Sequence, residues 1–518
     1  IKAAGIVAAL TIASKIFGFV RETALAAGFG ATYATDAYLV GQVIPSLLFA
    51  AVGAALSTTF IPVFAEAYHA EGREGAYRMA CTVMNVTILL AAGVIVVGEL
   101  LAEPLTRMVA PGFRGEVLYL SIRLTRYMFP MVMFQALSGL FTGMLQTQGE
   151  FTVPAVVGLL FNAVIIFSIV VLGPAFGIPA VAWGTTAAVA AQALAQIPAL
   201  RRRGFRWRAI IDWKDPRLIH VGALVLPVLL CSAAGQLGIM VDRMLASRLT
   251  EGSISALNYG NRLMGLPSGV IGTAIATVLY PTLSQLAAAK DMERFRAALS
   301  EGIRMLNFLL VPMSVGLMVL RVPVVRLAFQ RGAFDAEATE ATAFALLFFC
   351  VGITGFSLRD LVSRGFYSLH DTRTPMIVGI GTVGLNIVLN LMLVGPLKHG
   401  GLALATSVAS LAGLCVLLWL LRERLGHVDG KAIVGSLWRV AASSVAMGAA
   451  VGLVKGRVEA VWPGGSVAVQ AMRLAVEVGV GVVVYGACAA ALKVPEMKLV
   501  VRVGRSALGK RKVYRYGH

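Results

Sequence analysis

The chain has 518 residues, 58% of them hydrophobic and 14% charged, with a formal net charge of +19. A soluble protein carries about 25% charged residues, so this one lacks the polar side chains to cover several water-facing domains, and its apolar excess runs along the whole length rather than in one anchor. The cysteines (Cys81, Cys231, Cys350, Cys415, Cys488) each lie inside an apolar run and the histidines scatter, which excludes a disulfide framework and a zinc spacing.

In chain order, apolar segments predict membrane-spanning helices at 3–28, 34–64, 76–101, 117–146, 151–172, 176–200, 217–248, 253–285, 297–320, 337–367, 374–395, 399–421, 431–456 and 466–492. Most reach the roughly 20 residues that cross about 30 Å of hydrocarbon, and they are too long for barrel strands. The fold class is therefore an all-α polytopic membrane protein with about fourteen transmembrane helices. The first run is a helix rather than a signal peptide, because no small-residue cleavage site leads into a soluble domain. Pro45, Pro130, Pro267 and Pro312 fall inside spans, where neighbouring helices or a water-filled cavity take up the freed backbone groups.

Lys and Arg give the orientation. The side with the amino terminus, the even-to-odd connections and the tail holds about 25 of them, the other side about 10. The first includes Arg201, Arg202, Arg203, Arg206, Arg208 and the run Lys510, Arg511, Lys512. Both termini are thus expected in the cytoplasm, with the basic runs facing anionic membrane lipid rather than nucleic acid.

An internal repeat is visible at an offset of about 222 residues. Val20-Arg21-Glu22 lies on Val241-Asp242-Arg243, Asp36 on Asn258, Pro45 on Pro267, Pro154 on Pro375, and Gly173-Pro174 on Gly395-Pro396. Leu101-Ala-Glu-Pro-Leu-Thr-Arg107 recurs as Leu320-Arg-Val-Pro-Val-Val-Arg326. The expected domains are an N-terminal six-helix lobe (1–200), a basic linker (201–216), a parallel C-terminal six-helix lobe (217–425), two further helices (426–495) and a basic tail (496–518). Two parallel halves with a substrate path between them is a transporter plan.

Ten cations fall in or at the ends of spans: Lys15, Arg21, Arg123, Arg126, Arg262, Arg304, Arg359, Arg364, Arg439 and Arg473. Each costs about 2.5–3.5 kcal/mol if central and lipid-facing, and near helix ends it snorkels instead. Snorkelling suits Lys15, Arg21 and Arg262 least, since they lie well inside their spans. Span acids are fewer: Glu22, Asp36, Asp242, Asp360 and Glu477. A cavity lined by these groups is net positive, and guanidinium suits a phosphate by its bidentate geometry.

Four motifs carry a family resemblance: Ser14-Lys-Ile-Phe-Gly-Phe-Val-Arg21-Glu22, Ala34-Thr-Asp36-Ala-Tyr, Asn261-Arg262-Leu-Met-Gly-Leu-Pro267-Ser-Gly-Val, and Gly365-Phe-Tyr-Ser-Leu-His-Asp371-Thr-Arg-Thr-Pro375. Over nearly the whole chain the sequence resembles the MurJ (MviN) lipid II flippases of the multidrug/oligosaccharidyl-lipid/polysaccharide exporter superfamily. The resemblance implies two six-helix lobes plus two helices that form a groove for the lipid tail. It implies movement of lipid II, the undecaprenyl-pyrophosphate-linked disaccharide-pentapeptide, from the inner to the outer leaflet of the bacterial inner membrane. By motif position Arg21 and Arg262 are the cavity arginines expected to bind the pyrophosphate. Lys15, Glu22, Asp36 and Asn162 complete the candidate substrate-binding set. Lys15 and Glu22 stand where many members have Arg and Asp, and Phe49-Ala50 where many have Arg-Arg.

Asn386 and Asn390 share a face of the eleventh span; with Asp242 and Thr406 they form an oxygen set suited to a hard cation. Some family members resemble this with a sodium site, although an Asp stands there in place of Asn390. Interhelical polar packing is the alternative. Gly379-Ile-Gly381-Thr-Val-Gly384 matches a dinucleotide fingerprint by letter only, having no preceding strand. No nucleophile elbow or paired catalytic acids appear. The expectation is a non-enzymatic, monomeric flippase working by alternating access, without cofactor unless sodium binds. The rivals are a cation-coupled multidrug exporter of the same superfamily and a non-transporting scaffold of the cell-wall machinery.

Overall fold

The computed structural model describes residues 2–218, 236–426, 429–463 and 465–497. Cys231, part of the seventh expected span and the tail from 498 onward lie outside the described residues, as do the side chains of 49–58, Phe49 and Ala50 included. Among the described residues the only regular secondary structure is helix, and ten helices are long and apolar enough to cross a membrane.

The chain divides into two compact units: Ile1–Ala256 with Phe329–Ala338, and Leu257–Ala328 with Thr339–His518. The first contains α1 (Lys2–Phe29), α2 (Tyr33–Gly41), α3 (Val43–Ala70), α4 (Gly72–Leu100), α5 (Ala102–Val109), α6 (Gly115–Met128), α7 (Met131–Thr147), α8 (Thr152–Phe167), α9 (Gly173–Phe176), α10 (Ile178–Leu194), α11 (Ile197–Arg202) and α12 (236–246). Here α3 packs on α7 and α4, α1 on α8, and α10 on α7 and α8. Phe60, Phe64, Met79, Leu140 and Met144 are buried at the centre of one core, with Phe60 and Phe64 stacked 5.4 Å apart.

α13 (Ser253–Pro267) leads into the second unit, which holds α14 (Thr273–Ala288), α15 (Met292–Val319), α16 (Arg321–Phe329), α17 (Ala336–Ser368), α18 (Arg373–Leu425), α19 (Gly430–Val461) and α20 (Val467–Ala491). α19 packs against α15 and α20. The bond from Tyr485 Oη to the Phe308 carbonyl, 2.8 Å, and the Arg304–Glu496 ion pair, 3.0 Å, fasten α15 to the C-terminal helices.

Some breaks fall at prolines, whereas Pro62, Pro281 and Pro312 lie inside continuous helices. The second span is α2 and α3, interrupted at Gln42 just before Pro45, and the fourth is α6 and α7, interrupted at Phe129-Pro130, where no N–H is available for the helix ladder. In the position that the repeat pairs with Pro45, Pro267 precedes a π turn, Ser268–Gly272. The recurring Leu-x-x-Pro-x-x-Arg motif forms short helices in both copies, α5 and α16. The eleventh and twelfth spans are two helices that meet at Lys398, whose backbone is not helical, with φ +50° and ψ −132°.

Candidate functional site

α1 is apolar for most of its length, yet it carries Lys15, Arg21 and Glu22. Arg21 Nη2 donates to Glu22 Oε1 at 2.7 Å, and its guanidinium lies over the Phe161 ring of α8, 5.6 Å from the centroid. The two side chains are only 20% and 7% exposed. Glu22 and Phe161 therefore hold a charged guanidinium in place on an otherwise apolar helix. A guanidinium has five N–H donors, of which this ion pair engages one nitrogen. Lys15 lies on an exposed face of the same helix.

Asn162, expected with the substrate-binding residues, is buried and donates Nδ2 to Gly158 O at 2.9 Å and to Ser14 O at 3.3 Å. Both of its N–H groups are spent fastening α8 to α1, so here it supports the helix that presents Arg21.

Asp36, near the start of α2, is 4% exposed and sits in a knot of backbone. Its Oδ2 accepts from Gly252 N and its Oδ1 from Ser255 N, each at 2.8 Å, and Oδ1 also accepts from the Ser255 hydroxyl. Tyr33 N donates to Glu251 Oε1 at 2.9 Å, and Ala333 N donates to Ala27 O at 2.8 Å. Backbones approach so closely here that side chains are excluded. Gly332 has φ +59°, and a Cβ on it would lie 2.2 Å from Ala27 O; Gly30 has φ +66°, and its Cβ would lie 2.4 Å from Ala333 O. Only glycine satisfies both the left-handed backbone and the contact. Phe19, Phe329 and Phe334 continue the cluster, with neighbouring ring centroids 6.0 and 5.8 Å apart.

Arg262 lies in α13, in the second unit, and is exposed. Of the four candidate cation ligands, three come together in that unit: Asn390 Nδ2 donates to Asn386 Oδ1 and Asn386 Nδ2 to Thr406 Oγ1, each at 3.2 Å. Asp242 belongs to the first unit. The amide chain uses one acceptor position on each of the Asn386 and Thr406 oxygens. Asp371, in the fourth motif, accepts from the Thr374 amide at 2.9 Å and from the Thr374 hydroxyl at 2.8 Å, and pairs with Arg424. The Thr374 amide bond, countered in part by burial and assisted by the Thr374 hydroxyl and Arg424, holds its carboxyl below the usual range. That motif is a helix start, fixed electrostatically.

Far along the first unit, where α3 ends and α4 begins, the chemistry is basic. Arg203 pairs with Glu150 at 2.9 Å and donates to Gln148 O at 2.7 Å. Partial burial raises the Glu150 pKa, but bonds from Arg203 and from the Thr152 and Val153 amides outweigh it and hold the carboxyl below its ordinary value.

Sequence reasoning missed Phe161, Gly252, Ser255 and Gly332. The only local signs were a Gly252-Ser-Ile-Ser255 turn and an Arg331-Gly332-Ala333 turn between apolar runs.

Comparison with known proteins bears on all of this. The family model "Lipid II flippase MurJ" matches residues 25–472. A protein of Burkholderia cenocepacia called lipid II flippase MurJ is 31% identical over 428 residues, covering 81% of this chain and 83% of that one. One of Vibrio cholerae called probable lipid II flippase MurJ is 31% identical over 505 residues, 94% of each chain. A solved lipid II flippase MurJ in an inward closed conformation superposes with a TM-score of 0.79 at 22% identity, covering 95% of this chain and 99% of that one. That likeness carries the fold.

Proposed function

The chain belongs to the lipid II flippase MurJ family, and from that premise we propose how it carries the lipid-linked peptidoglycan precursor from the inner to the outer leaflet. It is a multi-pass inner-membrane transporter of lipid II, serving peptidoglycan synthesis. Both termini face the cytoplasm, the chain acts as a monomer, and the work is transport rather than catalysis.

The observation that carries the mechanism is the guanidinium of Arg21, held between Glu22 and Phe161 in an apolar helix. The pyrophosphate is the part of the cargo that hydrocarbon rejects most strongly. Arg21 and Arg262 bind it, and Lys15 adds charge along α1. With cargo present the anion offsets the repulsion between the two cations, which favours closure; without it they repel and favour opening. A sodium ion held by Asp242, Asn386, Asn390 and Thr406 is part of the same proposal.

A multidrug exporter would be expected to line its path with acids and aromatics for cationic drugs, and a scaffold needs no guanidinium inside its first helix. The test is complementation of a flippase-depleted bacterium with leaflet-resolved measurement of lipid II. Losing one charge-assisted contact costs about 1.5–3 kcal/mol, or about tenfold or more in binding. Arg21→Ala and Arg262→Ala should each abolish flipping while the protein still inserts, and Arg→Lys should restore it only in part. Normal growth on both alanine variants overturns the assignment.

A further inference from the structure

The linker after α11 is fastened to α4 through its own carbonyls. Tyr77 Oη donates to Arg203 O at 3.1 Å, Cys81 Sγ to Arg206 O at 3.7 Å, and Asn85 Nδ2 to Arg208 O and Ile210 O, each at 2.9 Å. Asn85 Oδ1 accepts from Trp207 Nε1 at 2.9 Å. Because the backbone does most of the fastening, the side chains of Arg206 and Arg208 are left for another task.

They line a cavity of about 220 Å³ with Arg73 and Arg78 from the first turns of α4, so that Arg73, Arg78, Arg203, Arg206 and Arg208 share it with one acid, Glu74. Arg203 is paired with Glu150 outside the cavity, and Arg208 reaches Glu74 at only 3.7 Å, with that carboxylate 87% exposed. Among the described residues, Arg78 and Arg206 make no ion pair. With Arg203 offset by Glu150 and Arg78 partly by Asp215, the cavity still holds more cation than the weakly held Glu74 balances, and that excess repulsion is relieved when an anion enters. All five cations are Arg, whose planar fork matches phosphate oxygens two at a time. Trp207 and Trp213 are exposed on the same linker, the residue type that sits at headgroup depth. Topogenic charge alone would be served equally by Lys and would not need a linker bonded into register.

We propose that this cavity binds the phosphate headgroup of a membrane lipid, gripped by Arg78, Arg206 and Arg208. The inference uses the orientation proposed above only to name the leaflet, which is the cytoplasmic one. The same chemistry is offered by an acidic phospholipid of the bulk membrane and by a polyprenyl pyrophosphate.

The test uses the full chain in phosphatidylcholine nanodiscs doped with brominated phosphatidylglycerol, reading quenching of Trp207 as the difference from a Trp207→Phe variant. Brominated phosphatidylglycerol should quench at about tenfold lower mole fraction than brominated phosphatidylcholine, the size of one charge-assisted contact. The triple variant Arg78→Lys, Arg206→Lys, Arg208→Lys keeps every charge and hence its topology, and should lose most of that preference. Equal quenching by both lipids, or an undiminished preference in the triple variant, overturns the proposal. Relief of quenching by undecaprenyl pyrophosphate stoichiometric with protein identifies a polyprenyl pyrophosphate as the occupant, and relief only at lipid excess identifies bulk phospholipid; either supports the site. Displacement by inorganic pyrophosphate with no response to either lipid overturns the lipid assignment. Lost lipid preference with lipid II transport intact counts against the proposed role of Arg21 and Arg262 in no way, so the two proposals fail separately.

Discussion

The two ends of the first unit are held by opposite means. At the Asp36 end one buried carboxylate gathers backbone amides, and glycines let main chain lie against main chain. At the α4 end the main chain is again fastened by hydrogen bonds, but exposed arginines crowd a cavity. The first arrangement is short-ranged and shielded from ions; the second acts over about 8–10 Å and is screened by salt. The knot should therefore be brittle to substitution and little affected by salt, and the arginine end the reverse.

The largest expected effect is at Asp36. Asp36→Ala orphans the Gly252 and Ser255 donors, each costing about 1–3 kcal/mol when left buried and unsatisfied. Hydrogen exchange across 250–256 should rise and the melting temperature of purified protein should fall, with Asp36→Asn intermediate. Unchanged protection of those amides would show that the carboxylate does not hold the knot.

A smaller loss separates close approach from conformation alone. Gly332→Ala meets both the left-handed backbone, φ +59°, and a carbonyl 2.2 Å away, whereas Gly72→Ala meets only the backbone, φ +72°, with nothing within 4 Å. The left-handed cost is about 1–2 kcal/mol and common to both, so Gly332→Ala should lower the melting temperature distinctly more than Gly72→Ala. Equal shifts would mean that the end of α1 around Ala27 and the turn at Gly332 part without cost.

The smallest effect is at the other end and depends on pH. The Glu150 pKa lies below its ordinary value of 4.5 in the folded chain. Its contribution is fully present above that value and is lost as pH falls through the lower, folded one. Hydrogen exchange of 200–206, taken relative to its intrinsic base-catalysed rate, should be flat from neutral pH down to about 5 and rise only below the ordinary glutamate pKa. Glu150→Gln should remove that rise; its persistence would shift the cause to another carboxylate.

Helix positions were legible because hydrocarbon sets their length, and some helix breaks because proline lacks an N–H. Arg21 stood out as a cation inside an apolar helix. Asp36 was visible as a residue but its partners were not, since they are backbone amides more than 200 residues away and every residue type except proline offers one. Asn162, placed with the substrate-binding set, shows the converse: both its N–H groups go to carbonyls that the sequence cannot point to. Asn386 and Asn390 share a helix face as their spacing implies, and they bond to each other.

The π turn at Ser268–Gly272 gives residue number itself a meaning. Such a turn takes in about one residue more than an α-turn, and one residue is worth about 100° of rotation about the helix axis. The heading of Arg262 relative to α14 is therefore a screw phase, set by counting rather than by any side chain. The same residues wound as α-helix throughout would keep every chemical group and turn that guanidinium through roughly a quarter of a circle.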